Sequence, residues 1–201
     1  MSRFCRPRTA ALCMGLLLGC VGARAQAPQG SAAADSSALQ AMALGPQQAQ
    51  LTALLGRWDV EIVWSNGATP AQHSKGTADY AWVIKGRWLG CHVRAQMLGS
   101  AYEQFTILGY DSYARNTVEV AVESVDNSML LSRGAALRAD QPVTLLFGEL
   151  DEYTSGVLHR PYKVLLNRVS PDRHVITVLG FDDSGHEVPK IEFRFSRHPR
   201  R

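Results

Sequence analysis

From Trp58 to Arg197 the chain runs in short stretches where apolar and polar residues alternate, separated by turn residues. In Gly56-Arg57-Trp58-Asp59-Val60-Glu61-Ile62-Val63-Trp64, the residues Trp58, Val60, Ile62 and Trp64 share one face, and Asp59 and Glu61 share the other. Side chains on a strand point to alternate faces, so this pattern predicts a strand with one dry side and one wet side. Similar runs follow at Thr77 to Ile84, with Tyr80, Trp82 and Ile84 on one face, and at Arg87 to Met97, with Leu89, Cys91 and Val93. They continue at Tyr102 to Tyr110 and at Thr117 to Val125, where Val118, Val120 and Val122 lie opposite Glu119, Ala121 and Glu123. The remaining runs are Met129 to Leu137, Pro142 to Asp151, Tyr162 to Val169, Val175 to Phe181 and Lys190 to Arg197, the last with Ile191, Phe193 and Phe195 on its dry face.

Turn signals separate these runs: Ser65-Asn66-Gly67, Lys85-Gly86, Leu98-Gly99-Ser100, Asp111-Ser112 and Asp126-Asn127. About ten strands at short, regular spacing with hairpin turns predict an all-β, up-and-down antiparallel sheet. An open sheet that wide would leave two long unpaired edges, and closure into a β-barrel removes them. Ahead of the strands, Leu51, Leu54 and Leu55 fall at helical spacing, predicting a short helix over Gln47 to Leu55 that plugs one barrel end and stops at Gly56.

The front of the chain changes the picture of charge and location. Arg3, Arg6 and Arg8 precede the apolar run Ala10 to Val21, and Ala23-Arg24-Ala25 is a small-x-small cleavage site. Residues 1–25 therefore read as a signal peptide, 26–46 as a flexible linker rich in Ala, Gln, Ser and Gly, and 47–201 as the barrel domain. A second reading of the leader stands beside the first: Leu17-Leu18-Gly19-Cys20 resembles a bacterial lipoprotein box, in which Cys20 is lipidated and becomes the first residue. Both readings place the mature chain outside the cytoplasm, in the periplasm or cell envelope, with a membrane contact only through Cys20. Without the four arginines of the leader, Lys+Arg falls from 21 to 17 against 18 Asp+Glu, so the basic balance is no sign of nucleic-acid binding. Cys5, Cys13 and Cys20 lie in the leader, and Cys91 then stands alone as a small buried hydrophobe.

A short helix, then Gly-x-Trp on the first strand, then a meander of strands resembles the calycin superfamily of lipocalin-like barrels. That resemblance implies a pairing of Trp58 in Gly56-Arg57-Trp58 with Arg197, an arginine from the chain's end packing over the motif indole and closing the barrel bottom. Leu54-Leu55-Gly56-Arg57-Trp58, Lys85-Gly86-Arg87-Trp88-Leu89, Leu108-Gly109-Tyr110-Asp111 and the stretch Phe195 to His198 are similar to a bacterial family of unknown function, numbered 1579. Lys85 stands where that family more often has glycine. The resemblance implies a fold and an exported setting, and no catalytic residues come with it.

The sequence holds no Gly-x-Ser-x-Gly elbow, no phosphate-cradling loop, no His-x-His, no His-Glu-x-x-His and no Cys-x-x-Cys. No cofactor or metal is implied. His92 shares a face with Trp88, Arg94 and Gln96, which reads as the wet one; His92, His174 or His186 serving as a haem ligand has no fixed spacing behind it. Trp64, Trp82, Phe147 and Phe193 occupy inward-reading positions, and Arg168 shares parity with Tyr162, Val164 and Leu166. These five are the candidate ligand-binding residues, with Trp58 and Arg197 structural. The reading is a barrel that binds or sequesters a small apolar or amphipathic molecule. A barrel enzyme of isomerase or cyclase type and a ligand-free envelope module are the alternatives.

Overall fold

A computed structural model describes residues 42–65, 70–97, 99–125, 127–152, 156–182 and 184–199; the leader, with Cys20, and most of the linker lie outside them. Helix α1 (Pro46–Leu51) begins with proline, whose fixed φ suits a first helical turn, and continues as a 3-10 turn over Thr52–Leu54. Together the two span 46–54, one residue ahead of the predicted Gln47 to Leu55. Gly56 is not its stop: it opens the first strand at φ +106°, where an added Cβ would sit 3.3 Å from the Arg197 guanidinium.

Ten strands follow: β1 (Gly56–Trp64), β2 (Gln72–Ile84), β3 (Trp88–Met97), β4 (Ser100–Asp111), β5 (Asn116–Glu123), β6 (Met129–Gly134), β7 (Val143–Glu152), β8 (Val157–Ser170), β9 (Arg173–Phe181) and β10 (Glu187–Arg197). Each pairs antiparallel with its sequence neighbour, and β10 returns to β1, so the sheet is a closed up-and-down barrel. The seam runs from Trp58 opposite Arg197 to Trp64 opposite Ile191, and leaves neither edge unpaired.

Antiparallel partners share a face, so the seam also fixes which residues point indoors. Trp58, Val60 and Ile62 of β1 and Phe193 and Phe195 of β10 are all buried in the core. Expectations about facing fail on β2, on β7 and, with Glu119 buried and Val122 exposed, on β5. Ile84 is 54% exposed, because a bulge between Trp82 and Ile84 shifts the end of β2 out of step. Phe147 is 53% exposed on the outer wall, with the Lys163 ammonium 5.9 Å from its ring centre. Both parities of β7 are apolar, and neighbouring strands decide between them. Ser132, Gly148 and Tyr162 are opposed in one inward row across β6, β7 and β8, which turns Phe147 outward.

Candidate functional site

The barrel's two ends differ. At one end α1 and the 3-10 turn lie against the start of β1, with Leu51 and Leu54 buried. The Trp58 indole donates to the Leu54 carbonyl at 2.7 Å, and the Arg197 guanidinium lies 3.9 Å from the indole centre. That guanidinium also donates to the Leu55 and Ala53 carbonyls, so one side chain ties plug, first strand and last strand together. Behind it His174 is buried, stacked on Phe195 at 4.2 Å and edge-on to Trp58 at 4.5 Å. Its Nε2 shares a hydrogen bond with the Tyr80 hydroxyl at 3.0 Å. Burial, and then the nearby Arg197 charge, pull His174 down to about 3, so the ring is neutral.

Arg168 belongs to this plugged end. It donates to Gln50 Oε1 at 3.1 Å and to the carbonyls of Gln141 and Arg138, which holds the helix to β8 and the turn after β6. It reaches neither the lumen nor the opposite mouth. Trp82 also lies away from both, half-buried against the core. Cys91 faces the lumen as a buried thiol pushed up to about 12 by burial, and is inert at neutral pH. His92 points to the outer wall, 3.2 Å from Glu103 and 2.6 Å from Arg94.

The middle of the barrel encloses a cavity of about 40 Å³, lined mostly by apolar side chains such as Val93, Leu166, Val178 and Phe193. At the unplugged end a wider space of about 380 Å³ opens between Trp64, Met97, Leu150 and Ile191. Gln104, Leu130, Val178 and Phe193 line both spaces, so the lumen runs on into the mouth. Of the five candidate binding residues, Trp64 and Phe193 therefore sit on the mouth and lumen. Trp82, Phe147 and Arg168 do not.

The lumen holds a carboxylate that hydropathy alone places outdoors. Glu119 of β5 is 7% exposed and accepts a 3.0 Å hydrogen bond from Ser132 Oγ. Burial drives its carboxyl up to about 7, and the Ser132 bond offsets only part of that rise. Leu108, Glu119, Ser132, Gly148 and Tyr162 are opposed one after another across β4 to β8, all on the inner wall. Gly148 leaves the space in this row: a Cβ there would sit 2.5 Å from the Tyr162 hydroxyl and from the Leu131 carbonyl. Tyr162 leans across it, 2% exposed, and its hydroxyl lies beside Ser132 with no partner at hydrogen-bond geometry. Burial, and then the Glu119 charge, push the phenol upward, so it stays protonated.

The signal for Glu119 was present in the turn. Asp111 and Asn116 face each other across β4 and β5, and the Asp111 carboxylate accepts from the Tyr113 and Ala114 amides at 2.9 Å. That register places Glu119 opposite Leu108, and partners share a face, so an inward Leu108 brings Glu119 in with it. Among the described residues no three or more His, Cys, Asp or Glu side chains gather as a metal site.

Fold and site together define an all-β closed barrel, plugged at one end, with an acid set in a mostly apolar lumen. The chain belongs to the family described as "Protein of unknown function (DUF1579)", whose model matches residues 44–197. Among solved structures it is similar to the crystal structure of Rv2717c from M. tuberculosis, with a TM-score of 0.56 and 13% identity over 78% of this chain and 100% of that one. At that identity the likeness speaks for the fold alone. No curated protein matches the sequence.

Proposed function

We propose that this chain is an exported, calycin-like barrel that takes up a small apolar or amphipathic molecule through its open end. The leader supports the exported setting, whether release follows Ala25 or an anchor forms at Cys20. One observation carries the binding reading: the apolar lumen continues into a mouth of about 380 Å³ while the other end is stoppered by helix, indole and guanidinium. A pocket closed on one side and lined by aromatic and aliphatic walls, with a few polar groups, is the usual form of a small-ligand site. The narrow inner cavity of about 40 Å³ sets the shape of the guest: a slender end within, the bulk in the mouth.

Native mass spectrometry of the protein purified from its own host tests this. The expected result is a folded mass exceeding the polypeptide by a small molecule that denaturation releases. A bare mass, together with no uptake of added apolar probes, would end the reading.

A barrel enzyme is the second reading, and Glu119 is what favours it. A carboxyl poised at about 7 suits proton transfer at neutral pH. The other titratable groups around the lumen, Tyr80, Cys91 and Tyr162, are pushed up by burial, away from neutrality, so Glu119 would act without a second matched group among them.

A further inference from the structure

We propose that the barrel's guest carries a protonated amine, seated against Glu119 with the Tyr162 and Ser132 hydroxyls beside it and an apolar tail in the mouth. This rests on the binding reading above and names the class of ligand for that same lumen. The first support is charge. Among the described residues lining the inner cavity, Glu119 is the one carboxylate, and none is a lysine or arginine. A buried carboxylate without a cation is costly, and a cationic guest supplies the missing partner. The path inward has the same sign: among the described residues, Glu123 and Asp151 line the mouth against Lys190.

The second support is hydrogen-bond capacity. An ammonium has three N–H donors and no acceptor. Ser132 satisfies one Glu119 oxygen, and no described residue bonds the other. Among the described residues the Tyr162 hydroxyl, beside Ser132, has no partner at hydrogen-bond geometry, and Ser132 Oγ keeps acceptor capacity after donating to Glu119. Three acceptors therefore stand around one head group. Leaving a buried hydroxyl unpaired is costly, so a guest that pairs it gains affinity from doing so.

The third support is size. A water needs about 10–15 Å³ of such space. The inner cavity of about 40 Å³ thus admits a head of a few heavy atoms and little more. A primary amine on a straight chain fits; a branched or quaternary head does not.

Titration should couple to binding. The groups facing Glu119 across the lumen are Tyr80 of β2, Cys91 of β3 and Tyr162 of β8, all held protonated by burial, with Ser132 from β6. Glu119 at about 7 is then the group that gains charge near neutrality. About one pH unit below its midpoint a tenth is ionised, and about one unit above, nine-tenths, so amine affinity should rise about tenfold across that interval.

Calorimetric titration of the full-length mature chain with n-octylamine, octanol and octanoate decides the matter. At about pH 8 octylamine should bind at least about tenfold tighter than octanol, with octanoate weakest, and the amine advantage should shrink about tenfold at about pH 6. Glu119→Gln should bind amine and alcohol alike. Tyr162→Phe keeps the ring, so it serves even where Glu119→Gln fails to fold; it should lose several-fold in amine affinity. Equal binding of amine and alcohol by the native protein would overturn the amine assignment and leave the binding reading standing. An amine preference that survives Glu119→Gln would overturn the role of Glu119. No binding of any of the three to a protein that circular dichroism shows folded would remove both.

Discussion

Replacing Glu119 with glutamine should change how stability depends on pH. The side chain keeps its size, so the lumen keeps its shape, and only the ionisable group is lost. In the folded barrel the carboxyl titrates at about 7, against 4.5 for an unburied glutamate. The folded state therefore holds its proton more tightly than the unfolded chain does. Below about 4.5 both states are protonated and Glu119 costs nothing. Between there and about 7 the unfolded chain has released a proton that the barrel still carries, so stability falls as pH rises. Above about 7 both are ionised and the loss levels off. At about 1.4 kcal/mol per pH unit the whole effect is about 3.5 kcal/mol, a large share of the roughly 5–15 kcal/mol that typically holds a domain together. Urea unfolding of the native protein and of Glu119→Gln at a series of pH values measures it. The two carry the same other titrating groups, so their difference isolates Glu119, and it should widen from about pH 4.5 to about pH 7 in favour of the variant. Parallel curves would show that the carboxyl is not in a dry place, and the reasoning from register to lumen would fail with it.

Other substitutions probe the rest of the barrel. Arg197→Ala removes the contact with Trp58 and the bonds to the Leu55 and Ala53 carbonyls, and should cost about 2–4 kcal/mol in urea unfolding. Arg197→Lys should recover less than half, because an ammonium cannot both stack and fork. His174, pulled down to about 3, stays neutral in the barrel while the unfolded chain takes up a proton near 6.5. Stability should therefore fall as pH drops through the interval between those values, and in His174→Phe that acid limb should flatten even if the baseline shifts. Arg168→Ala should lower the melting temperature and leave ligand affinity unchanged in calorimetry, since its partners belong to the plug. Phe147→Ser should change stability by less than about 1 kcal/mol and binding not at all, because the ring is on the outer wall.

The barrel itself was legible in the chain. Alternation needs no knowledge of neighbours, so each of the ten strands shows in its own run of residues, and closure follows from the cost of bare edges. Trp64 and Phe193 have the inward facing that alternation predicts, because on β1 and β10 only one parity is strongly apolar. On β7 the rule is silent, since Leu145 and Phe147 compete with Leu146 and Leu150. On β5 the rule misleads. Valine outside and glutamate inside reverse the hydropathy, and only the register set by the Asp111–Asn116 turn reveals it. Arg168 has the inward parity it was given, but parity does not say at which height of a barrel a residue lies. The length of β8 and the position of α1 decide that, and they put it with the plug.

The most direct test is the titration of the Glu119 carboxyl carbon by ¹³C NMR, in the free protein and with n-octylamine present. A midpoint near 7 in the free protein, drawn well downward by the amine, is the expected result. A midpoint near 4.5 that the amine leaves unmoved would mean that this side chain faces water. The lumen would then lose both its acid and the amine assigned to it.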